Sequence, residues 1–193
     1  MKPSSRTRYG VVAMTLHWII AALILSNLFV GWRMGFLGGL AQFDAFQLHK
    51  SIGITVLVLS VARLAWKLMN PAPPLPQGMK PYERFGAKAT HLFFYVLMIG
   101  MPLTGWALVS VSTMNIPTLL WHTIPWPHIA LLHDLPAAPK AGVEIAATSV
   151  HVAMAFGGAA LIALHVAAAL KHQFLNRDGV LGRMVPFLSA DPR

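Results

Sequence analysis

Four apolar runs, each long enough to cross a bilayer as a helix, dominate this chain and leave little room for a soluble fold. A hydrocarbon core of about 30 Å needs about 20 apolar residues in helical form. Segments of that length are expected at about 11–34, 47–68, 88–111 and 143–174. Backbone groups in lipid must be satisfied within the segment, so the spans are read as helices and the fold class as all-α, a four-helix transmembrane bundle forming one domain over residues 1–193. A proline-dense stretch, Asn70-Pro-Ala-Pro-Pro-Leu-Pro-Gln-Gly78, cannot be helical and joins the second span to the third. Pro102 interrupts the third span, a kink that membrane helices tolerate.

Charge fits this reading. The 193 residues are 56% hydrophobic and carry 15 Lys and Arg against 6 Asp and Glu, a net +9 that in a soluble chain would raise the question of nucleic-acid binding. The cations lie between the apolar runs instead, as topogenic loop charges do, so nucleic acid is not an expected partner and membrane lipid is. Lys2, Arg6, Arg8, Lys67, Lys80, Arg84, Lys88, Lys171, Arg177, Arg183 and Arg193 fall on one side; Arg33, Lys50 and Lys140 fall on the other. Both termini are therefore expected to be cytoplasmic, and the loop 112–142 to face outward. With Trp121, Pro125, Trp126 and Pro127, that loop is expected to lie along the membrane surface. The first run is too long for a signal-peptide core and is expected to remain in the mature chain.

Cysteine is absent, which removes disulfides, iron–sulfur clusters, thiolate metal sites and covalent haem attachment. Chemistry falls to the nine histidines. His17 lies about two turns into the first span from the inner side, and His49 lies at the outer end of the second. On the fourth span, His151 lies near the outer end and His165 toward the inner end. Depth pairs His17 with His165 and His49 with His151. The 14 residues from His151 to His165 make about four turns, so both rings face one side about 21 Å apart. Ala155, Gly158 and Ile162 lie between them on that face, with Gly157 and Ala159 alongside, small enough to let a flat macrocycle or a neighbouring helix come close.

A lone histidine in an apolar helix is more often a hydrogen-bonded core residue than a ligand, but four at paired depths carry a different weight. Two His per depth without a carboxylate or thiolate leave a zinc shell incomplete. Bis-imidazole ligation completes six-coordinate haem iron and favours electron transfer over oxygen chemistry. A histidine-bearing transporter or metal exporter without haem stays open as an alternative.

The motifs Leu16-His17-Trp18; His49-Lys50-Ser51-x-Gly53 with Arg63-Leu64-x-Trp66-Lys67-Leu68; His91 with Pro102-Leu-Thr-Gly105; Leu164-His165-x-Ala-Ala-Ala-Leu-Lys-His172; and Arg177-Asp178-Gly179-x-Leu-x-Arg183-Met184-x-Pro186 together resemble the bacterial two-haem cytochrome b561 family. The resemblance runs from about Tyr9 to Pro186. It implies two non-covalent b-type haems with axial ligands His17 and His165 (inner) and His49 and His151 (outer), a location in the bacterial inner membrane, and a quinone as redox partner. Members include enzymes that oxidise superoxide outside and reduce ubiquinone, so the chain is read as an oxidoreductase of that kind. The alternative is a haem-bearing relay subunit of a larger dehydrogenase or hydrogenase fed by a periplasmic donor.

Secondary site residues follow from position. Arg63, a costly charge at membrane depth, is expected to pair with a haem propionate or to snorkel to lipid phosphate. His91 and His172 lie in the inner layer with Lys67, Lys171 and Arg8. The two histidines suit a quinone carbonyl and its protons, and ordinary interfacial polarity accounts for each residue taken singly. At the outer surface, His122, His128, His133, Lys50 and Lys140 are suited either to drawing in an anion such as superoxide or to plain solvation.

Overall fold

The computed structural model describes residues 8–76 and 78–188; Lys2, Arg6 and Arg193 lie outside the described residues. Four helices are long and apolar enough to cross a membrane: α1 (Val11–Met34), α2 (Gly39–Met69), α3 (Pro81–Val111) and, after a β1 (Thr118–Leu120) and β2 (Ile124–Trp126) hairpin and a short α4 (Ala130–His133), α5 (Ala137–Lys171). A π-helical turn, His172–Asn176, extends α5, and a 3-10 turn, Leu181–Arg183, follows.

The spans stand where apolar length placed them, but three helices begin earlier. α2 starts at Gly39 rather than near residue 47, because Leu40, Phe43 and Phe46 continue a helical apolar stripe past Gln42 and Asp44, polar residues that end an apolar run without ending a helix. α3 starts at Pro81, which suits a first helical position, with Lys80 N–H donating to Glu83 Oε2 at 3.1 Å. α5 starts at Ala137, just after Pro136. Among the described residues the fold is thus helical with one small exception in the loop between α3 and α5, where β1 and β2 pair antiparallel, Thr118 opposite Trp126 and Leu120 opposite Ile124. The hairpin turns through Trp121 and His122, both with positive φ (52° and 59°). Its strands are three residues each, too short to show a period of two.

Packing joins α1 to α2 and α3 to α5, with α2 against α3 linking the two pairs; among the described residues, α1 and α5 scarcely approach each other. The densest apolar core is Ile20, Ile52 and Val56, with Leu16, Leu23, Ile24, Leu59 and Met98 around it. α5 has no fully buried residue. From His151 to His165 its half-buried positions, His151, Met154, Ala155, Gly158, Leu161, Ile162 and His165, recur every three or four residues and define one inward face. Ala155, Gly158 and Ile162 lie on that face, as their spacing requires.

Both ends of the bundle are tied. At the termini end, Tyr9 N donates to the Arg183 carbonyl (3.3 Å), Trp18 Nε1 to that of Met184 (2.9 Å) and Arg8 to that of Pro186 (3.2 Å), which lays the C-terminal segment against the start of α1. At the opposite end the hairpin is held to α2. The fully buried Gln47 donates to the Pro117 carbonyl (2.9 Å) and accepts from Leu119 N (3.2 Å), and Ser51 Oγ accepts from Trp121 N (2.9 Å). α3 holds the chain just beyond it: Trp106 Nε1 donates to the Pro127 carbonyl (2.8 Å) and Ser110 Oγ accepts from Ile129 N (2.9 Å).

Candidate haem sites

Two imidazole pairs bridge the seam between the helix pairs. His17 on α1 and His165 on α5 have ring centres 6.4 Å apart, and His49 on α2 and His151 on α5 have centres 6.2 Å apart. Two imidazoles bound end-on to one iron, with metal–nitrogen bonds of about 2.0 Å and ring centres about 1.1 Å further back, have centres about 6.2 Å apart. The donor sets therefore fit bis-histidine iron in both layers. Among the described residues no three His, Cys, Asp or Glu side chains converge to hold a bare metal ion, which leaves a zinc shell short of ligands.

The surroundings of the second pair sharpen the fit. His151 Nδ1 donates to Thr104 Oγ1 (2.9 Å) and to the Met101 carbonyl (3.1 Å), while the Thr104 hydroxyl itself donates to Met101 (2.7 Å). A proton fixed on Nδ1 leaves Nε2 as the lone-pair nitrogen, the tautomer a metal-bound imidazole needs. His49 Nδ1 is buried beside the Asn27 backbone, without closing a hydrogen bond in good geometry. Each ring is backed by glycine: a Cβ on Gly31 would stand 3.1 Å from His49 Cε1, and one on Gly105 would stand 3.2 Å from His151 Cε1. Neither position has room for a side chain without moving the imidazole.

A single interval organises all four helices. His17 and Gly31 on α1, His49 and Arg63 on α2, His91 and Gly105 on α3, and His151 and His165 on α5 are each 14 residues apart, about four turns or about 21 Å along a helix. The hairpin-end layer contains Gly31, His49, Gly105 and His151; the termini-end layer contains His17, Arg63, His91 and His165. Arg63 lies close enough to act electrostatically on all three termini-end histidines. The His91 ring centre is also 6.4 Å from that of His165, with Phe94 5.2 Å away on the same ring, so His165 has two imidazoles at equal range.

The remaining sequence-derived residues are placed as follows. Lys67 Nζ lies over the Tyr95 ring at 4.7 Å, Lys171 Nζ meets Glu83 Oε1 at 2.7 Å, and His172 Nδ1 donates to Asp178 Oδ2 at 2.5 Å. Each is thus engaged by a neighbour, and His172 keeps only Nε2 free. In the loop between α3 and α5, the His128 and His133 rings stack, with centres 5.0 Å apart. The backing glycines and the Thr104 and Met101 contacts went unread in the sequence, although the 14-residue interval, applied to α1 and α3 as it was to α5, leads from His17 to Gly31 and from His91 to Gly105.

A four-span helical bundle with stacked imidazole pairs across its interior is the architecture of a membrane cytochrome of the b type. The profile of the prokaryotic cytochrome b561 family matches residues 8–187, and the chain belongs to that family. It is 31% identical over 192 residues to cytochrome b561 homolog 2 of Escherichia coli (strain K12), across 95% of this chain and 94% of that one. It is 28% identical over 186 residues to the probable superoxide oxidase CybB of Yersinia pestis (93% and 96% covered), and 26% identical over 183 residues to cytochrome b561 homolog 1 of E. coli (93% and 97%). The chain is accordingly a multi-pass membrane electron-transfer protein that binds haem b.

Proposed function

We propose that the protein holds two b-type haems, one between His17 and His165 and one between His49 and His151, and passes electrons between a partner at the hairpin end and the membrane quinone pool. The observation that carries this reading is the pair of imidazole separations, 6.4 and 6.2 Å, repeated at a four-turn interval along α5. When bound, haem supplies reversible one-electron chemistry at an iron with no open position. The protein's part is to hold the imidazoles. Thr104 and Met101 fix the tautomer and orientation of His151, Gly31 and Gly105 let the ligand rings pack tightly, and α5 supplies one ligand to each layer. The excess of cations at the termini end supports a cytoplasmic placement of that end by the positive-inside rule, and four apolar helices in a prokaryotic family support the bacterial inner membrane as its location.

Superoxide is the proposed donor, in keeping with the name of the Yersinia relative. Each superoxide would give up one electron at the hairpin end and leave as dioxygen. Two electrons and two protons would convert quinone to quinol at the termini end, where His91, and His172 through Nε2, would carry protons, with Lys67 and Lys171 in the same layer. Lys50 and Lys140 are the local cations toward which the anion would be drawn. The test is haem stoichiometry and the reduced spectrum of the purified protein, followed by stopped-flow mixing with superoxide and ubiquinone. Two b-type haems, reduced by superoxide and reoxidised by quinone, are expected. A protein that binds two haems but turns over only with a bound dehydrogenase would make it a relay subunit, and one without haem would end the proposal.

A further inference from the structure

The two layers share a plan and differ in what stands behind the ligands. At the hairpin end the neighbouring helices contribute Gly31 and Gly105, which carry no charge and fit against imidazole carbons. At the termini end the corresponding positions hold Arg63 and His91. Arg63 is half-buried in α2, within electrostatic range of His17, His91 and His165, and a guanidinium does not give up its proton in a protein. A fixed positive charge in a poorly polarisable interior stabilises an added electron far more than one in water.

The rest of the charge pattern points the same way. Among the described residues the termini end has nine Lys and Arg (Arg8, Arg63, Lys67, Lys80, Arg84, Lys88, Lys171, Arg177, Arg183) against Glu83 and Asp178. The hairpin end balances Arg33, Lys50 and Lys140 against Asp44, Asp134 and Glu144. Lys50 adjoins His49 in sequence, but its ammonium reaches away to the Pro117 carbonyl at 3.4 Å. A haem carboxylate paired with Arg63 would be neutralised, whereas at the hairpin end Arg33, two residues beyond Gly31, is exposed.

We propose that Arg63 makes the termini-end haem the stronger electron acceptor of the two, so that an electron entering the bundle rests there. This inference rests on the two-haem reading above. Redox titration of the haem-loaded protein, followed by absorption, tests it once His17→Ala and His49→Ala have assigned the two components. The component lost with His17→Ala is expected to have the higher midpoint. Arg63→Met should lower that midpoint and leave the other in place, while Arg63→Lys should retain most of it. Arg63→Gln, checked for full haem content, guards against a misfolded Met variant. If the component lost with His49→Ala has the higher midpoint, or if both midpoints ignore Arg63→Met and Arg63→Gln, this inference falls and the two-haem reading stands. A protein without b-type haem would overturn both.

Discussion

Gly31→Ala is the smallest change that addresses the hairpin-end site without touching a ligand. The added methyl would stand 3.1 Å from His49 Cε1 and 3.3 Å from Nδ1, whereas comfortable carbon contacts lie at about 3.5–4.0 Å. The ring, or the α1–α2 spacing, must give by several tenths of an ångström. Two terms oppose each other: alanine is a better helix former than glycine by about 0.8–1.0 kcal/mol, and overpacking costs about 1–3 kcal/mol. Crowding wins, for a net loss of up to about 2 kcal/mol. The decisive readout is spectral: low-temperature electron paramagnetic resonance should show the hairpin-end haem shifted and the termini-end haem unchanged. Gly105→Ala should do the same through His151, at 3.2 Å. Gly157→Ala serves as control, since a Cβ there meets nothing within 4 Å, and should stabilise the helix without moving either signal. A Gly31→Ala protein with both signals unchanged and a raised melting temperature would refute the idea that glycine is there to seat the imidazole.

Because His17 and His91 are both 6.4 Å from His165, their roles separate by substitution: His17→Ala should remove low-spin character from the termini-end haem and His91→Ala should leave it, and the reverse result would exchange their roles. Gln47→Leu removes both hydrogen bonds from a side chain only 2% exposed and strands the Leu119 N–H, at a cost of about 1–3 kcal/mol. Hydrogen exchange should rise across 117–121, and unchanged protection there would contradict the clamp. Partial burial, then His133, Lys50 and Lys140, hold the His128 pKa below its ordinary 6.5. The unfolded loop therefore binds a proton more readily than the folded one, and the stability conferred by neutral His128 is present above pH 6.5 and lost as pH falls toward the lower folded value. Proteolysis of the loop between α3 and α5 should accelerate over that window, and His128→Gln should flatten the dependence.

The spans were legible because crossing a bilayer demands apolar length, a property a sequence states openly. Helix ends were not: Gln42, Asp44, Tyr82 and Glu83 stop an apolar run but not a helix, so α2 and α3 reach beyond their apolar cores. The two histidine pairings could be argued from depth alone, because helix rise converts residue number into height; depth did not separate His17 from His91, which lie at the same 6.4 Å from His165. What lay hidden is lateral. Nothing local to Gly31 says that its missing side chain faces His49, since that contact crosses from α1 to α2. The hairpin escaped for a related reason: its three-residue strands are held by Gln47 and Ser51, about 70 positions away in the chain.

The four-turn interval also makes the spans intolerant of changes in length. Deleting one residue between His17 and Gly31 would turn everything beyond it by about 100° and draw it back about 1.5 Å, so α1 could keep either its histidine in one layer or its glycine in the other. The same holds between Arg63 and His49, His91 and Gly105, and His165 and His151. Lengthening a connection, such as the one after Met69, disturbs neither layer. The helices behave as rulers with two fixed marks, and variation in length is confined to the segments that join them.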